Sequence, residues 1–394
     1  MADGRPGGLA QERVLLLHNR YRTAGGEERF VDALERLLRE HCAFVARAER
    51  ASDALGPARA AAGLLAGGLA PDAVAEQVRA DAITVVHAHN VHPSFGWRAL
   101  AAARRAGAAT VLHLHNHRLF CATGVAYRDG EVCYDCAPRA THHGVRHRCR
   151  DGGLAEAAVY AAGIAAWQRR LLAAADRVAT PTAELAERLR GLGVPLGETS
   201  VLGGWVPDEA FAATPTTGGA HALYAGRLTE DKGVLVAIRA SAASGVPLVV
   251  AGDGPQAGAA RALAAALGAP VRFMGQTGRD ELAALRRDAL CAVVPSRCQE
   301  VLPLSGIEAL AAGLPLVVSD RPGLVPLTEP ELVAAAGDHE ALASVLRAVA
   351  GDAALRSRAA AAALARARER FTAGRAAEAA AGLYADARAR GARP

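Results

Sequence analysis

Short apolar runs alternate with longer Ala/Leu-rich stretches along the whole chain. Val14–Leu17, Ile83–Val86, Thr110–Leu114 and Val178–Thr180 read as buried parallel strands, because each is a brief run of mostly branched apolar residues. In the second half Ala222–Tyr224, Leu248–Ala251, Val271–Met274, Ala292–Val294 and Leu316–Val318 read the same way. Helical spacing recurs between them, as in Glu27–Glu40, Thr182–Leu192 and Gly258–Leu267. Repeated β-α-β order predicts an α/β protein with two doubly wound parallel sheets and right-handed crossovers. The Pro/Gly-rich stretch Gly203–Gly219 is the expected seam. The Ala/Arg-rich tail Arg356–Arg390 is low in complexity, but Leu364, Phe371, Leu383 and Tyr384 recur as apolar anchors, so helix is expected there.

A length of 394 residues suits two domains with a core each. The net charge of +5 is spread through alternating Arg and Asp/Glu, with no basic block carrying interleaved aromatics, which argues against a nucleic-acid partner. No segment approaches the roughly 20 apolar residues of a membrane span, and Val14–Leu17 is too short for a signal-peptide core. Scattered thiols such as Cys42, Cys291 and Cys298 suit a reducing compartment. The expected location is the cytoplasm, with peripheral contact at the inner face of the membrane as an added option.

Candidate chemistry concentrates in the second half. Gly226–Gly233 spells G-R-L-T-E-D-K-G just after a predicted strand, so Arg227 and Lys232 fall at the carboxyl edge of the sheet, where open α/β sheets bind ligands. A planar guanidinium and a compact ammonium together suit the oxygens of a diphosphate, although two surface cations beside a turn are the plain alternative. Glu300 follows the strand Ala292–Val294, and Pro303 opens the next helix with Glu308 about one turn inside. Amides near Leu304, Ser305 and Gly306 then point outward and favour a phosphate. Ionised carboxylates only accept hydrogen bonds, so Glu300 and Glu308 suit sugar hydroxyls, one on a ribose and one on a hexose.

These segments, followed by A-G-D-G-P (Ala251–Pro255), F-M-G (Phe273–Gly275) and the two glutamates with seven residues between them, resemble glycosyltransferase family 4. Its members are retaining enzymes of the GT-B fold, and the likeness is to a bacterial type with a Cys-bearing insert. The resemblance implies two Rossmann-like domains facing a central cleft. The acceptor-side domain would span 1–205, with the insert at 117–150 and a C-terminal helix, 372–394, returning to it; the donor domain would span 206–371. It also implies that Arg227 and Lys232 bind the donor diphosphate, Glu300 contacts the transferred sugar and Glu308 the ribose, with Gly254, Leu304 and Ser305 in the donor site. Asp231 stands where the family commonly has Glu, and after Asp320 the usual paired glycines are replaced by R-P-G-L-V-P-L (Arg321–Leu327).

The first half fits the same family. Y-R-T-A-G-G-E-E (Tyr21–Glu28) turns from a strand into a helix, where Gly25 and Gly26 allow close backbone approach and the helix start faces an anion. The resemblance places this loop beside the donor phosphates. Two neighbouring strands end in His89–Asn90 and His115–Asn116. A lone His is usually structural; two His-Asn pairs at one sheet edge favour function. By resemblance, His115 lies near the reacting sugar and positions it or stabilises charge. Cys121, Cys133, Cys136 and Cys149 cluster with His117, His142, His143 and His147, and Cys133-x2-Cys136 has metal-ligand spacing. A structural Zn²⁺ held by the four thiolates is weighed against buried or reactive thiols, and no cofactor is required for catalysis.

The expected activity is transfer of a sugar from a UDP- or GDP-sugar to an acceptor hydroxyl with retention, catalysed with Glu300, Lys232, Arg227 and His115. The rivals are a GT-B nucleotide-sugar 2-epimerase and a non-catalytic nucleotide-sugar-binding partner. The helix from Leu154 to Trp167, flanked by Arg146, Arg148, Arg150, Arg169 and Arg170, suits either core packing or a bilayer carrying a lipid-linked acceptor.

Overall fold

The computed structural model describes residues 8–20, 25–51, 54–150 and 153–391. Residues 21–24, the Y-R-T-A of the first glycine turn, and 392–394, the end of the expected C-terminal helix, lie outside the described residues. The chain divides into two compact units, one of residues 1–126, 134–203 and 374–394 and one of 127–133 and 204–373.

The first unit holds strands β1 (Arg13–Arg20), β2 (Phe44–Ala51), β3 (Val85–Ala88) and β4 (Ala109–His113). After a hairpin of β5 (Tyr127–Arg128) and β6 (Glu131–Val132), which groups with the second unit, come β7 (Arg177–Thr180) and β8 (Thr199–Val201). The sheet runs β2-β1-β3-β4-β7-β8, with every pairing parallel. Strand order reverses between β1 and β3, so the loops leaving these two strands diverge and open a crevice there.

In the second unit β9 (His221–Ala225), β10 (Leu248–Ala251), β11 (Val271–Gly275), β12 (Ala289–Val294), β13 (Leu316–Ser319) and β14 (Val333–Ala334) form a parallel sheet ordered β11-β10-β9-β12-β13-β14. Its switch point lies between β9 and β12. Both faces are covered, and the two-residue period of the strands sorts the side chains. Tyr224, Val250 and Val293 join one core with Ile238 and Leu346, while Leu223, Val249 and Val294 join the other with Ile307, Leu310 and Phe371. That double burial is why these strands read as continuous apolar runs.

The strand β2 departs from the apolar rule. Each of its residues keeps some exposure, and Arg47 in its middle pairs with Asp32 at 2.6 Å and Glu35 at 3.3 Å. An edge strand covered on one side by a helix needs no apolar run, so F-V-A-R-A-E-R-A gives no strand signal. The tail forms two helices, Ala353–Arg370 and Ala373–Gly391, separated at Phe371, and the second buries Leu383 and Tyr384 in the first unit.

Candidate active site

In the second unit, the loops leaving β9 and β12 are bolted together. The Arg297 and Cys298 amides donate to the Asp231 carbonyl at 2.8 and 3.2 Å. Gly233 takes a left-handed φ of 71°, and a Cβ there would stand 2.1 Å from the Pro295 carbonyl oxygen. Only glycine allows that approach. The β10 loop locks on from the other side. At Gly254, φ is 158° and a Cβ would meet the Leu228 carbonyl at 2.6 Å, while the Leu228 amide donates to Asp253 at 2.9 Å. Gly254 therefore seats one motif against the other.

This interlock aims Lys232 at Glu300, and the ammonium bonds Glu300 Oε1 directly. Ser296 donates to the same oxygen at 2.7 Å, and Ser319 fixes the Ser296 carbonyl at 2.6 Å. Oε2 of Glu300 has no partner among the described residues, so one oxygen is anchored and the other is open. The carboxylate is 9% exposed and the lysine 25%. Burial works against the ammonium, yet Glu300 and Asp231 outweigh it and hold the lysine pKa above its ordinary value. Lys232 is therefore a fixed charge. Burial also pushes the Cys298 thiol up, with Glu300 adding to the effect, so it stays neutral beside them.

Arg227 is exposed, and its guanidinium has no partner among the described residues. Pro303 caps the helix Leu304–Ala311, and its carbonyl accepts from the Gly306 and Ile307 amides at 3.0 and 3.2 Å. The Leu304 and Ser305 amides are left at the helix start, so the Gly306 donor expected to face outward is already used. Glu308 is bonded by Arg286, a mostly buried residue of the helix Arg279–Arg287. Arg286 gives no signal in the sequence, since it meets Glu308 only once the two helices pack. Arg321–Leu327 contributes Gly323, where a Cβ would stand 2.2 Å from the Glu300 carbonyl; the altered loop supports Glu300 from behind. The β5–β6 hairpin packs on this unit, with the Tyr127 hydroxyl donating to Glu230 at 3.1 Å and Arg297 donating to the Gly130 carbonyl at 3.0 Å.

The first unit has histidines at its switch point instead of cations. The Gly25 amide donates to Glu28 Oε2 at 2.7 Å, so that carboxylate already caps the helix Gly26–His41. His89 Nδ1 and His115 Nε2 share a hydrogen bond of 2.9 Å. Beside them His87 Nε2 meets His113 Nδ1 at 3.2 Å, and His87 Nδ1 meets the Tyr384 hydroxyl at 3.0 Å. Phe30 packs its ring edge-on to His113 and His115. Burial lowers the pKa of His87 and of His115 to about 3 and that of His18 to about 4. His89 and His113 lie well below the ordinary value for the same reason, with neighbouring imidazoles adding repulsion. The array is neutral at pH 7.

Sequence reading singled out His89 and His115 but not His87 and His113. The signal was there: H-A-H and H-L-H put two imidazoles each on one face of adjacent strands. The Asn members of the pairs are tied up. Asn90 donates to the Asn19 carbonyl at 2.6 Å, and Asn116 accepts from the Arg118 amide at 2.9 Å. Among the described residues, the groups of three or more potential ligands within 4.8 Å of one another are His87/His89/His113 and Asp135/His143/His147. Neither group includes Cys121, Cys133, Cys136 or Cys149, which are half-buried.

A Rossmann-like unit presenting a fixed ammonium, an exposed guanidinium, a half-anchored carboxylate and a free helix start, in a chain with a second such unit, defines a protein of the sugar-nucleotide-handling GT-B class. Residues 13–205 match the family described as Glycosyl transferase 4-like domain, and residues 208–366 match Glycosyl transferases group 1. The chain belongs to these glycosyltransferases. Over 171 residues it is 37% identical to glycogen synthase of Mycobacterium tuberculosis, an alignment covering 39% of this chain and 40% of that protein. The chain thus spans about 40% of the length of the curated relatives it matches. The fold is similar to sucrose-phosphate synthase from Thermosynechococcus elongatus, with TM-score 0.68, 18% identity, and 95% of this chain and 98% of that one covered. It is also similar to Anabaena HepE in complex with UDP, with TM-score 0.64, 16% identity and coverage of 95% and 99%.

Proposed function

We propose that the protein transfers a sugar from a nucleoside-diphosphate sugar to an acceptor hydroxyl with retention at the anomeric carbon. The observation that carries this reading is the Lys232–Glu300–Ser296 arrangement at the second switch point, with Glu300 Oε2 open and the Arg227 guanidinium exposed. Breaking the anomeric bond places negative charge on the departing diphosphate. Lys232 and the Leu304/Ser305 amides are fixed donors for that charge, in place before it develops, and the exposed Arg227 guanidinium adds a further donor. Glu300 Oε2 accepts from a hydroxyl of the transferred sugar, and Glu308 from the ribose. The acceptor attacks on the face the diphosphate leaves, and its proton passes to the leaving phosphate oxygen. His115 contacts the reacting sugar. The uridine nucleotides bound in the Anabaena HepE structures support a UDP-sugar as the first donor to try.

The test is product analysis with radiolabelled UDP- and GDP-sugars. Label moving into an acceptor, or slow release of free sugar with nucleoside diphosphate, supports transfer. Release of a free epimer points to an epimerase, and binding without turnover to a non-catalytic partner. A lipid-linked acceptor is the finer reading, supported by exposed Leu154 and by the exposed Arg146 and Arg148 that shortly precede it in the chain. No helix among the described residues is long and apolar enough to cross a membrane, so attachment would be superficial. Sedimentation with anionic against zwitterionic vesicles tests it. Zinc on the four insert cysteines is a separate proposal, tested by metal analysis of chelator-free protein.

A further inference from the structure

Of the histidines in the first unit, His89 has no direct route to a ligand: it is 2% exposed, and its Nε2 is buried without a hydrogen-bond partner. Its other nitrogen meets His115 Nε2. His115 is only partly buried, so it is the reachable end of the pair. The nitrogens of His87, His89 and His113 approach one another within 4.8 Å, close enough to share an ion. Their directions favour hydrogen bonds instead. Ring centres are 5.2 Å apart for His89–His115 and 5.3 Å for His87–His113. Such separations arise when the bonded nitrogens lie near the line joining the ring centres. Within each of these two pairs an N–H then faces a lone pair.

One proton sits in the His89–His115 gap, and its owner sets the character of both rings. Were His115 the donor, His89 would carry its own proton on Nε2, a buried N–H with no acceptor. Orphaned buried N–H groups are rarer in folded proteins than under-satisfied acceptors. His89 therefore donates from Nδ1, and its Nε2 stays bare.

We propose that His89 is a positioning residue that holds His115 in the Nδ1–H tautomer, making His115 a neutral hydrogen-bond donor to a substrate oxygen. The substrate part rests on the reading of His115 given under the proposed function. With Nε2 engaged by His89, His115 offers an N–H and no free lone pair. It contributes a directed donor to an oxygen of the reacting sugar and takes no proton from the acceptor hydroxyl. A merely space-filling His89 would leave the tautomer of His115 to chance.

Long-range ¹H–¹⁵N correlation spectra of the full-length protein, without substrate, read the tautomer directly. The expected result is a protonated Nδ1 and a pyridine-type Nε2 on His115 in the wild type. His89→Leu should move His115 toward Nε2–H. His89→Asn, whose side-chain amide can donate from near the Nδ1 position, should restore the wild-type form. In turnover, His89→Leu should lower kcat by about tenfold to a hundredfold with little change in KM, and His89→Asn should recover most of the loss. A wild-type His115 protonated on Nε2, or one unmoved by His89→Leu, overturns the proposal. The wild-type spectrum decides the tautomer even if His89→Leu fails to fold. If the tautomer is as expected but His115→Ala turns over normally, the reading of His115 at the sugar fails while the His89–His115 tautomer stands.

Discussion

The two parallel sheets of this glycosyltransferase place their switch points alike and furnish them in opposite ways. In the second unit the crevice holds a fixed ammonium, a carboxylate with one oxygen tied down, and an exposed guanidinium. In the first it holds four imidazoles kept neutral by burial. Charge is needed where a diphosphate departs, because preorganised ions stabilise charge as it develops. Neutral donors suffice where only hydroxyls are to be oriented. On the proposed function, the same α/β scaffold serves electrostatics in one unit and directional hydrogen bonding in the other.

The sharpest way to break this contrast is to remove the charge. Lys232→Ala should lower kcat/KM by about a thousandfold, as loss of a preorganised donor to a developing oxyanion does, with the fold retained by circular dichroism. Glu300→Gln should cost about a hundredfold or more, because the neutral amide can no longer anchor Lys232 through a charge-assisted bond. Near-normal transfer by either variant would remove the central role assigned to the second switch point.

Acid and alkali should separate the two halves of the molecule by stability. His18, His87 and His115 have folded pKa values of about 4, 3 and 3, against 6.5 when unfolded. Between those limits the unfolded chain binds more protons, so stability falls as pH drops below about 6.5, each such histidine costing about 1.4 kcal/mol for every tenfold rise in proton concentration. Lys232 has the opposite sign: its raised pKa contributes stability below 10.5 that is lost as pH rises above that value. Proteolysis mapped by mass spectrometry at pH 4.5 should first cut within 13–203 and spare 221–366. Initial cleavage in the second unit would contradict the assignment.

Gly233→Ala should destabilise the protein by about 1–3 kcal/mol, measured by chemical denaturation, through its left-handed backbone and the Pro295 carbonyl in its way. The smallest effect is expected from Glu308→Gln: KM for the donor should rise about tenfold with kcat little changed. Arg286 loses its ionic partner in that variant, so a companion Arg286→Ala should show whether Arg286 or the donor accounts for the change.

The buried strands of both sheets were legible because burial on two faces leaves a continuous apolar run. The edge strand β2 was not, since Arg47 lies in a row of Asp and Glu partners that only packing supplies. In the site, Lys232, Glu300 and Arg227 could be read from loops that directly follow strands. Arg286 could not, because its contact with Glu308 joins two separate helices. Gly254 shows another limit: the sequence does not reveal that a glycine in such a loop is also required by close approach to the Leu228 backbone. The buried His87 and His113 were missed although the alternation that reveals them was present, because a histidine inside an apolar strand reads as core while one at its end reads as site.

The return of the final helix, Ala373–Gly391, to the first unit also bears on how such a gene can be recombined. Tyr384 closes the imidazole chain by meeting His87, nearly three hundred positions upstream. A chimera that exchanges the first half at the Gly203 seam would pair one parent's histidines with the other parent's tyrosine. A functional exchange has to carry the last helix with the first half, and the Tyr127–Val132 hairpin, which bonds Glu230, with the second.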